Sequence, residues 1–352
     1  MDVGVNYPWF NYGWDFGEAP PGWRSSGQDP NWIAQIDADL QRFRQLGIKV
    51  VRWFIIADGL TYGTGSQAPR PDTEQSRLGQ WRFDDPPQIG EAFLTHFQAL
   101  LGRFARLNRG ERQAIQLLPV LLDFKFCEPG ILPVGRADSA LRQTVPDPDW
   151  VKQGRADVLI DSQKRRKFFE RALQPLLRAS QAHPDCIYAW ELINEPEWVT
   201  SGWHPHRARS LPVNSSDMAS FLQEGMRHIR AARFKATIGF NRIETIRQSR
   251  IFADYNQFHH YSPTRGGRPL PQHTFAPRYP GIIGEFATSS NEDNWPDLSG
   301  ASQTTLYRLR HIRDQGYPLA LPWSYRGTDR HTSWNSQVEQ DIECFTQLRN
   351  CP

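Results

Sequence analysis

Two glutamates, each at the end of a short apolar run, have the residue type and setting needed for acid–base chemistry. Glu195 ends the run in residues 190–196 (WELINEP), and Glu285 lies in residues 281–286 (GIIGEF). A carboxyl held partly out of water at a strand end can have a raised pKa and donate a proton. Gly284 removes a side chain just before Glu285, which leaves room for a ligand. Each pattern alone is also typical of an ordinary turn, but together they indicate a site.

These two carboxylates are far apart in the chain, so no helix or hairpin can bring them together. Only a tertiary fold that gathers strand ends can do so. Two carboxylates facing each other across the mouth of a barrel suit glycoside hydrolysis, because one can protonate the departing oxygen while the other attacks the anomeric carbon.

The elements that would position them alternate between apolar strands and amphipathic helices, as in a mostly parallel sheet with helical crossovers. The predicted strands are 3–7, 49–56, 115–124, 186–194, 236–240, 257–261, 281–286 and 319–324, and the predicted helices are 30–46, 90–107, 162–182, 216–232, 302–315 and 335–348. Eight strands in this order predict a (β/α)8 TIM barrel, in the α/β class, that spans residues 1–352 as one domain. The alternative fold is an open α/β sheet.

Long segments rich in Pro, Gly and aromatic residues follow the second, third, fourth and sixth predicted strands. Barrel enzymes build their active sites from such βα loops. The chain contains 13 Trp, and aromatic rings stack well on the apolar faces of sugars. The tryptophans in predicted loops or strand mouths are Trp14, Trp81, Trp150, Trp198, Trp203, Trp295 and Trp334.

Composition argues against several other functions. The formal net charge is +3 and the arginines are scattered, so we expect no nucleic-acid partner. No apolar run is long enough for a membrane span. The first residues, MDVGVNYPWF, do not form a signal peptide, so we expect a cytoplasmic protein or one whose leader has been removed. We expect a monomer. We also expect no cofactor, because no phosphate-binding loop is present, and no metal, because no His-x-His pair is present.

The four cysteines match no zinc motif in their spacing. Cys344 and Cys351 are close enough in sequence to pair. Buried or idle thiols are nevertheless the favoured interpretation.

The motifs resemble clan A glycoside hydrolases, and most of all family 5, the cellulases, mannanases and related β-glycanases. Asn194-Glu195-Pro196 is similar to the family's Asn-Glu-Pro at the fourth strand, which implies that Glu195 is the acid/base and that Asn194 binds the sugar 2-hydroxyl. Glu285 is similar to the nucleophile of the seventh strand. Trp323, in the sequence LPWS, resembles the eighth-strand Trp that floors the subsite at the cleavage point.

Three further residues fit the same pattern. Arg52 resembles the second-strand Arg that steadies the nucleophile, and a buried Arg is rarely unpaired. We expect it to lower the pKa of Glu285, although a structural ion pair is the alternative. His259 and Tyr261 resemble the His-x-Tyr of the sixth strand. Tyr261 could donate to Glu285 and His259 could contact sugar hydroxyls, whereas either could instead be a core residue. His260 should face the helices.

Two features depart from the family pattern. Many members have a His at the end of the third strand, where this chain has Asp123 followed by Phe124. Strict strand alternation would also send Asn194 and Glu195 to opposite faces. Both can reach one site only if the strand end twists or bulges.

The function hypothesis is therefore retaining hydrolysis of a β-linked oligo- or polysaccharide, of β-mannan or β-glucan type, without a cofactor. A catalytically inactive carbohydrate-binding barrel, or a transglycosylase using the same site, is the alternative.

Overall fold

The computed structural model describes most of the chain. The described residues are 1–10, 15–17, 30–59, 70–71, 85–127, 130–132, 150–152, 154–203, 211–262, 267–288, 293–298, 303–325, 332 and 334–347. Trp14, Trp81 and Cys351 lie outside them, and so does the side chain of Trp150.

Eight parallel strands close into a barrel. They are β1 (Asp2–Asn6), β2 (Val50–Ala57), β3 (Gln116–Asp123), β4 (Trp190–Asn194), β5 (Ala236–Phe240), β6 (Tyr255–His260), β7 (Gly281–Ala287) and β8 (Leu319–Trp323). Each strand pairs with its neighbours in sequence, and β1 pairs with β8. The predicted (β/α)8 barrel is confirmed, and the open-sheet alternative is excluded.

Helices connect most of these strands. They are α1 (Pro30–Gln45), α2 (Glu91–Leu107), α3 (Ser162–Phe168, continued by a π turn and Gln174–Ser180), α4 (Ser215–Ala231), α5 (Ile243–Ser249), α6 (Thr305–Asp314) and α7 (Ser336–Thr346). Side-chain caps set three of their starts: Asp161, Asn214 and Asn335 each accept backbone N–H bonds from the first turn. The connection after β5, for which the sequence analysis predicted no helix, contains α5.

The strands bury both faces, which explains why their sequences are apolar almost throughout. All eight residues of β2 are buried. The large core cluster lies between strands and helices, while a separate small cluster joins residues from β2, β3, β7 and β8 with Ala189. Because those strands lie on different sides of the barrel, this small cluster fills its interior. Polar side chains occupy the interior at the carboxyl ends of the strands, and they form the candidate site described below.

Short additional strands lie in the βα loops, at the carboxyl ends of the barrel strands. Arg70–Pro71 and Gly130–Leu132 flank Trp150–Lys152 in an antiparallel sheet, and Thr200–Ser201 pairs with Val213–Asn214. Within the described ranges, no helix combines the length and apolar character that a membrane crossing requires.

The cysteines differ in state. Cys127 and Cys186 are buried thiols outside any disulfide, as favoured from the sequence. Cys344 forms a disulfide, so the expectation of an idle thiol is wrong at that position.

Candidate active site

Glu195 reaches the barrel interior because β4 is irregular where it ends. The register between β4 and β5 shifts between Thr237 and Gly239, so that Gly239 lies opposite Asn194. Glu195 then adopts the left-handed conformation, with φ of 46° and ψ of 54°, which few residues with a side chain occupy. The predicted irregularity, which lets Asn194 and Glu195 reach one site, is confirmed.

The Glu195 carboxylate is mostly buried and accepts three hydrogen bonds. Asn241 Nδ2 and His259 Nδ1 lie 2.7 and 2.8 Å from its Oε1, and Trp198 Nε1 lies 2.7 Å from its Oε2. Burial raises the pKa of this carboxyl, but the three donors, led by His259, outweigh burial and hold the pKa below its ordinary value. The raised pKa expected from the strand-end position is therefore wrong, because the donors come from other strands and loops.

Glu285 lies on β7 with two strong donors on its carboxylate. Arg52 Nη1 donates to Oε1 at 2.6 Å, and the Tyr261 hydroxyl donates to Oε2 at 2.8 Å. His259 Nδ1 is 3.4 Å from the same Oε2. Burial raises the pKa of Glu285 and outweighs the lowering by His259 and Arg52. Arg52 thus acts on the pKa in the expected direction, but the net shift is upward.

Arg52 uses all five of its N–H groups. Nε and Nη2 donate to the two oxygens of Glu191 at 2.7 and 2.6 Å. Nη2 also donates to Asn194 Oδ1, and Nη1 donates to Asn6 Oδ1 and to Glu285. Burial lowers the pKa of Arg52, but the carboxylates of Glu191 and Glu285 outweigh it and raise the pKa. Arg52 therefore both holds Glu285 and forms a structural ion pair with Glu191. Because its side chain is 0% exposed, it presents no surface to a sugar.

His259 lies between the two candidate carboxylates. Burial lowers its pKa, but the negative charges of Glu285 and Glu195 outweigh burial and raise it. Nδ1 of the imidazole is directed at both carboxylates. Its side chain is fully buried, so it sits behind the carboxylates and does not offer the expected contact to sugar hydroxyls.

Asp123, at the end of β3, occupies the position where the family pattern has a His. Its Oδ2 accepts from Asn194 Nδ2 at 2.9 Å, and its Oδ1 accepts the backbone N–H of Lys125. Burial raises the pKa of Asp123. Since Arg52 already holds Asn194 Oδ1, the amide of Asn194 is fixed from both sides.

Trp323 ends β8 and is partly exposed at the same end of the barrel. It packs with Phe54, and its ring meets that of Trp9 edge to face at 6.2 Å. Phe54 in turn lies 5.0 Å from the Arg52 guanidinium. An apolar wall of three aromatic rings therefore borders the charged residues, and its place at the carboxyl ends of the strands fits the position expected for Trp323.

Solved structures match this architecture, whereas no family model and no curated sequence matches the chain. An endo-1,4-β-mannanase from Eisenia fetida has a TM-score of 0.64 at 18% identity, over 99% of this chain and 91% of that one. The β-mannanase of the blue mussel Mytilus edulis has a TM-score of 0.62 at 17% identity, over 98% of this chain and 91% of that one. A broad-specificity endoglucanase from Clostridium longisporum has a TM-score of 0.55 at 11% identity, over 99% of this chain and 96% of that one.

The chain has the barrel fold of these glycanases. The resemblance to family 5 glycanases seen in the sequence is confirmed at the level of the fold.

Glu191, Asn6 and Gln257 are the interior residues that the sequence analysis missed. Glu191 receives Arg52 on both oxygens and Gln257 Nε2 at 2.8 Å, while Asn6 Nδ2 donates to the backbone of β7 and β8. The available signal was a polar residue inside an apolar strand. Gly284 makes room for Gln257, not for a ligand, because a Cβ there would lie 2.6 Å from Gln257 Cγ.

The β4–α4 and β5–α5 loops supply a second group that was missed. Asn241 and Trp198 bind Glu195, as described above, and Glu197 lies beside them with only 1% of its surface exposed. Burial, reinforced by the charge of Glu195, raises the pKa of Glu197 to about 7. Neither carboxyl oxygen of Glu197 has a well-formed hydrogen bond within the described part of the chain.

Among the tryptophans expected near sugars, only Trp198 contacts a candidate catalytic residue in the described ranges. Trp203 and Trp295 are buried in the core, and Trp334 packs against Tyr325. His260 faces the helices, as predicted, with its ring edge-to-face against Trp295.

Glu195, His259 and Glu285 also form the one group among the described residues whose ligand atoms could meet at a metal ion. One ligand atom of each lies within 4.8 Å of the others. The sequence offered no metal motif because these three residues come from different strands.

Proposed function

We propose that the chain is a retaining glycoside hydrolase of the family 5 type that cleaves a β-linked glycan. One observation carries the proposal: an oxygen of Glu195, at the end of β4, lies within 4.8 Å of an oxygen of Glu285, on β7. Retaining enzymes hold their two carboxyl groups about 5–5.5 Å apart, whereas inverting enzymes leave about 6.5–9.5 Å for a water molecule. The close spacing supports retention.

In this mechanism Glu285 attacks the anomeric carbon as Glu195 gives a proton to the glycosidic oxygen. Glu195 must carry a proton for this step, and His259 Nδ1, which lies 2.8 Å from Glu195 Oε1, is placed to exchange a proton with that carboxyl. After the leaving group departs with that proton, Glu195 removes a proton from water, and the water oxygen displaces Glu285 from the sugar.

The other site residues position Glu285 or the sugar. Arg52 and Tyr261 keep Glu285 in place through hydrogen bonds of 2.6 and 2.8 Å. Asn194 retains an amide hydrogen for the sugar 2-hydroxyl, and Trp323 offers its ring as the floor of the subsite. The mechanism needs no cofactor. A β-mannan or β-glucan is the proposed substrate class, which is supported by the similarity to β-mannanases and an endoglucanase.

A panel of β-glycans and aryl β-glycosides, with analysis of the products, tests the proposal. Retention means that β-configured products form first. Products longer than the substrate at high substrate concentration would indicate a transglycosylase. A folded protein that binds glycans but turns over none of the panel would be a carbohydrate-binding barrel.

Azide rescue separates the two glutamates, with an aryl β-glycoside whose leaving group needs little acid help. In Glu195→Ala the glycosyl-enzyme forms and stalls, so azide attacks it and gives the β-glycosyl azide. In Glu285→Gly azide enters the vacated space and gives the α-glycosyl azide. NMR of the azides distinguishes them. Reversed anomers would exchange the two roles, and full activity in both variants would place the site elsewhere.

A further inference from the structure

The Glu195–His259–Glu285 group combines a nitrogen and two carboxylate oxygens at the barrel mouth. We propose that these three side chains form a binding site for a late first-row divalent cation, best matched by Zn²⁺, which blocks the candidate catalytic centre when it binds. The site coincides with the proposed active site, but metal binding can be measured without any glycan.

The separations of the ligand atoms suit tetrahedral zinc. Zinc binds His nitrogen and carboxylate oxygen at about 2.0–2.2 Å, which places tetrahedral ligands roughly 3.3–3.5 Å from each other. His259 Nδ1 is 3.4 Å from Glu285 Oε2 and 2.8 Å from Glu195 Oε1. Glu195 must move about half an ångström away from His259 to reach this spacing, and its ligand oxygen lies within 4.8 Å of that of Glu285. Glu195 is the least buried of the three, with 13% of its side chain exposed.

The surrounding residues already orient the carboxylates. Arg52 and Tyr261 hold Glu285, while Asn241 and Trp198 hold Glu195. Such outer partners fix the direction of metal ligands, and their loss typically lowers metal affinity about 10–100-fold. A cation therefore meets ligands that need little rearrangement.

Charge favours a dication at this position. Arg52 carries a positive charge next to the three carboxylates of Glu191, Glu195 and Glu285. A dication therefore brings charge opposite in sign to that of these carboxylates. Buried charge without compensation is costly, so this pairing stabilises the bound cation.

The same ligand set disfavours harder cations. Ca²⁺ takes six to eight oxygen ligands, and Mg²⁺ demands octahedral oxygen coordination. One imidazole nitrogen and two carboxylates do not provide either arrangement. The site should therefore distinguish Zn²⁺ and Co²⁺ from Mg²⁺ and Ca²⁺.

The test is metal titration of the whole protein after EDTA treatment and removal of the chelator. Co²⁺ should give the visible bands of a four-coordinate ion at one equivalent per chain, and Zn²⁺ should abolish them. Calorimetry with Zn²⁺ then gives the affinity. His259→Phe and Glu195→Gln should each weaken Zn²⁺ at least about tenfold, and Tyr261→Phe about tenfold. Circular dichroism confirms that each variant is folded.

His183→Gln is the matched control, because His183 precedes β4 at the opposite end of the barrel. It should bind Zn²⁺ as the parent protein does. Unchanged binding in both His259→Phe and Glu195→Gln, no binding by the parent, or equally tight Mg²⁺ binding would each overturn the proposal. Zinc binding by a protein that hydrolyses no glycan would refute the proposed function but leave this site standing.

Discussion

His260 should make the fold sensitive to acid. It lies on β6, packed edge-to-face against Trp295 at 4.6 Å, with Arg308 and His311 of α6 nearby. Burial, reinforced by those charges, lowers the pKa of His260 to about 3. Its Nε2 has no hydrogen-bond partner among the described residues. The folded protein therefore holds this imidazole neutral across the range in which an unfolded chain protonates it.

The sign and size of the effect follow from the two pKa values. At pH 8 the imidazole is neutral in both states. At pH 5 the unfolded chain, with an ordinary pKa of 6.5, binds a proton that the folded protein does not. Unfolding becomes easier by about 2 kcal/mol at pH 5, and by about 4 kcal/mol at pH 3. This part of the stability is complete above pH 6.5 and is lost as the pH falls.

His260→Phe removes the titrating group and keeps a ring against Trp295. Urea unfolding of parent and variant at pH 8 and pH 5 gives four free energies of unfolding. The parent should lose about 2 kcal/mol more than the variant between the two pH values. Any packing cost of the larger ring cancels in this double difference.

Phe258→Leu, on the same strand, removes no titrating group and is the control, so its double difference should be near zero. If parent and His260→Phe lose the same stability between pH 8 and pH 5, His260 does not stay neutral in the fold. The account of its burial would then be wrong.

Three other predictions concern the site. Glu197 has a pKa of about 7, so the fold retains its proton more tightly than the unfolded chain and loses stability as the pH rises from about 4.5 through 7. Urea unfolding should show Glu197→Gln gaining about 3 kcal/mol on the parent between pH 4 and pH 9, and no gain would refute the burial argument. Arg52→Ala should lower kcat more than it changes KM, and it should lower the free energy of unfolding by about 3–5 kcal/mol, because two buried carboxylates lose their partner. A folded variant with normal kcat would show that Arg52 has only a structural role in the barrel. Activity should survive exhaustive EDTA treatment, and a loss that added metal restores would contradict the proposed mechanism.

The barrel could be predicted because each strand carries its own signal. β2 is buried at every position and contains only one charged residue, and the other strands are similar apolar runs between amphipathic helices. Glu195 and Glu285 stood out because a carboxyl at the end of such a run has few structural uses. Boundaries moved by a few residues where caps or turns set them, as at β4, which begins at Trp190 after a short 3₁₀ turn.

The electrostatics could not be predicted in the same way. The pKa of Glu195 depends on Asn241 from the β5–α5 loop, Trp198 from its own loop and His259 from β6. Their distances are set by register shifts in β4 and β6, which no local pattern reveals. Glu191 was missed for the same reason, since its partners Arg52 and Gln257 come from other strands.

Arg52 connects the site to the closure of the barrel. Its five donors reach Asn6 on β1, Glu191 and Asn194 on β4, and Glu285 on β7, while its own backbone belongs to β2. A guanidinium can bridge four strands because its donors form a rigid planar fork, which the single ammonium of Lys cannot reproduce. A change in barrel register would therefore break the pairing of Glu285 along with the strand ladder. The geometry of the candidate site and the integrity of the barrel depend on the same hydrogen bonds, so an Arg52→Lys variant should disturb both even though it keeps the charge.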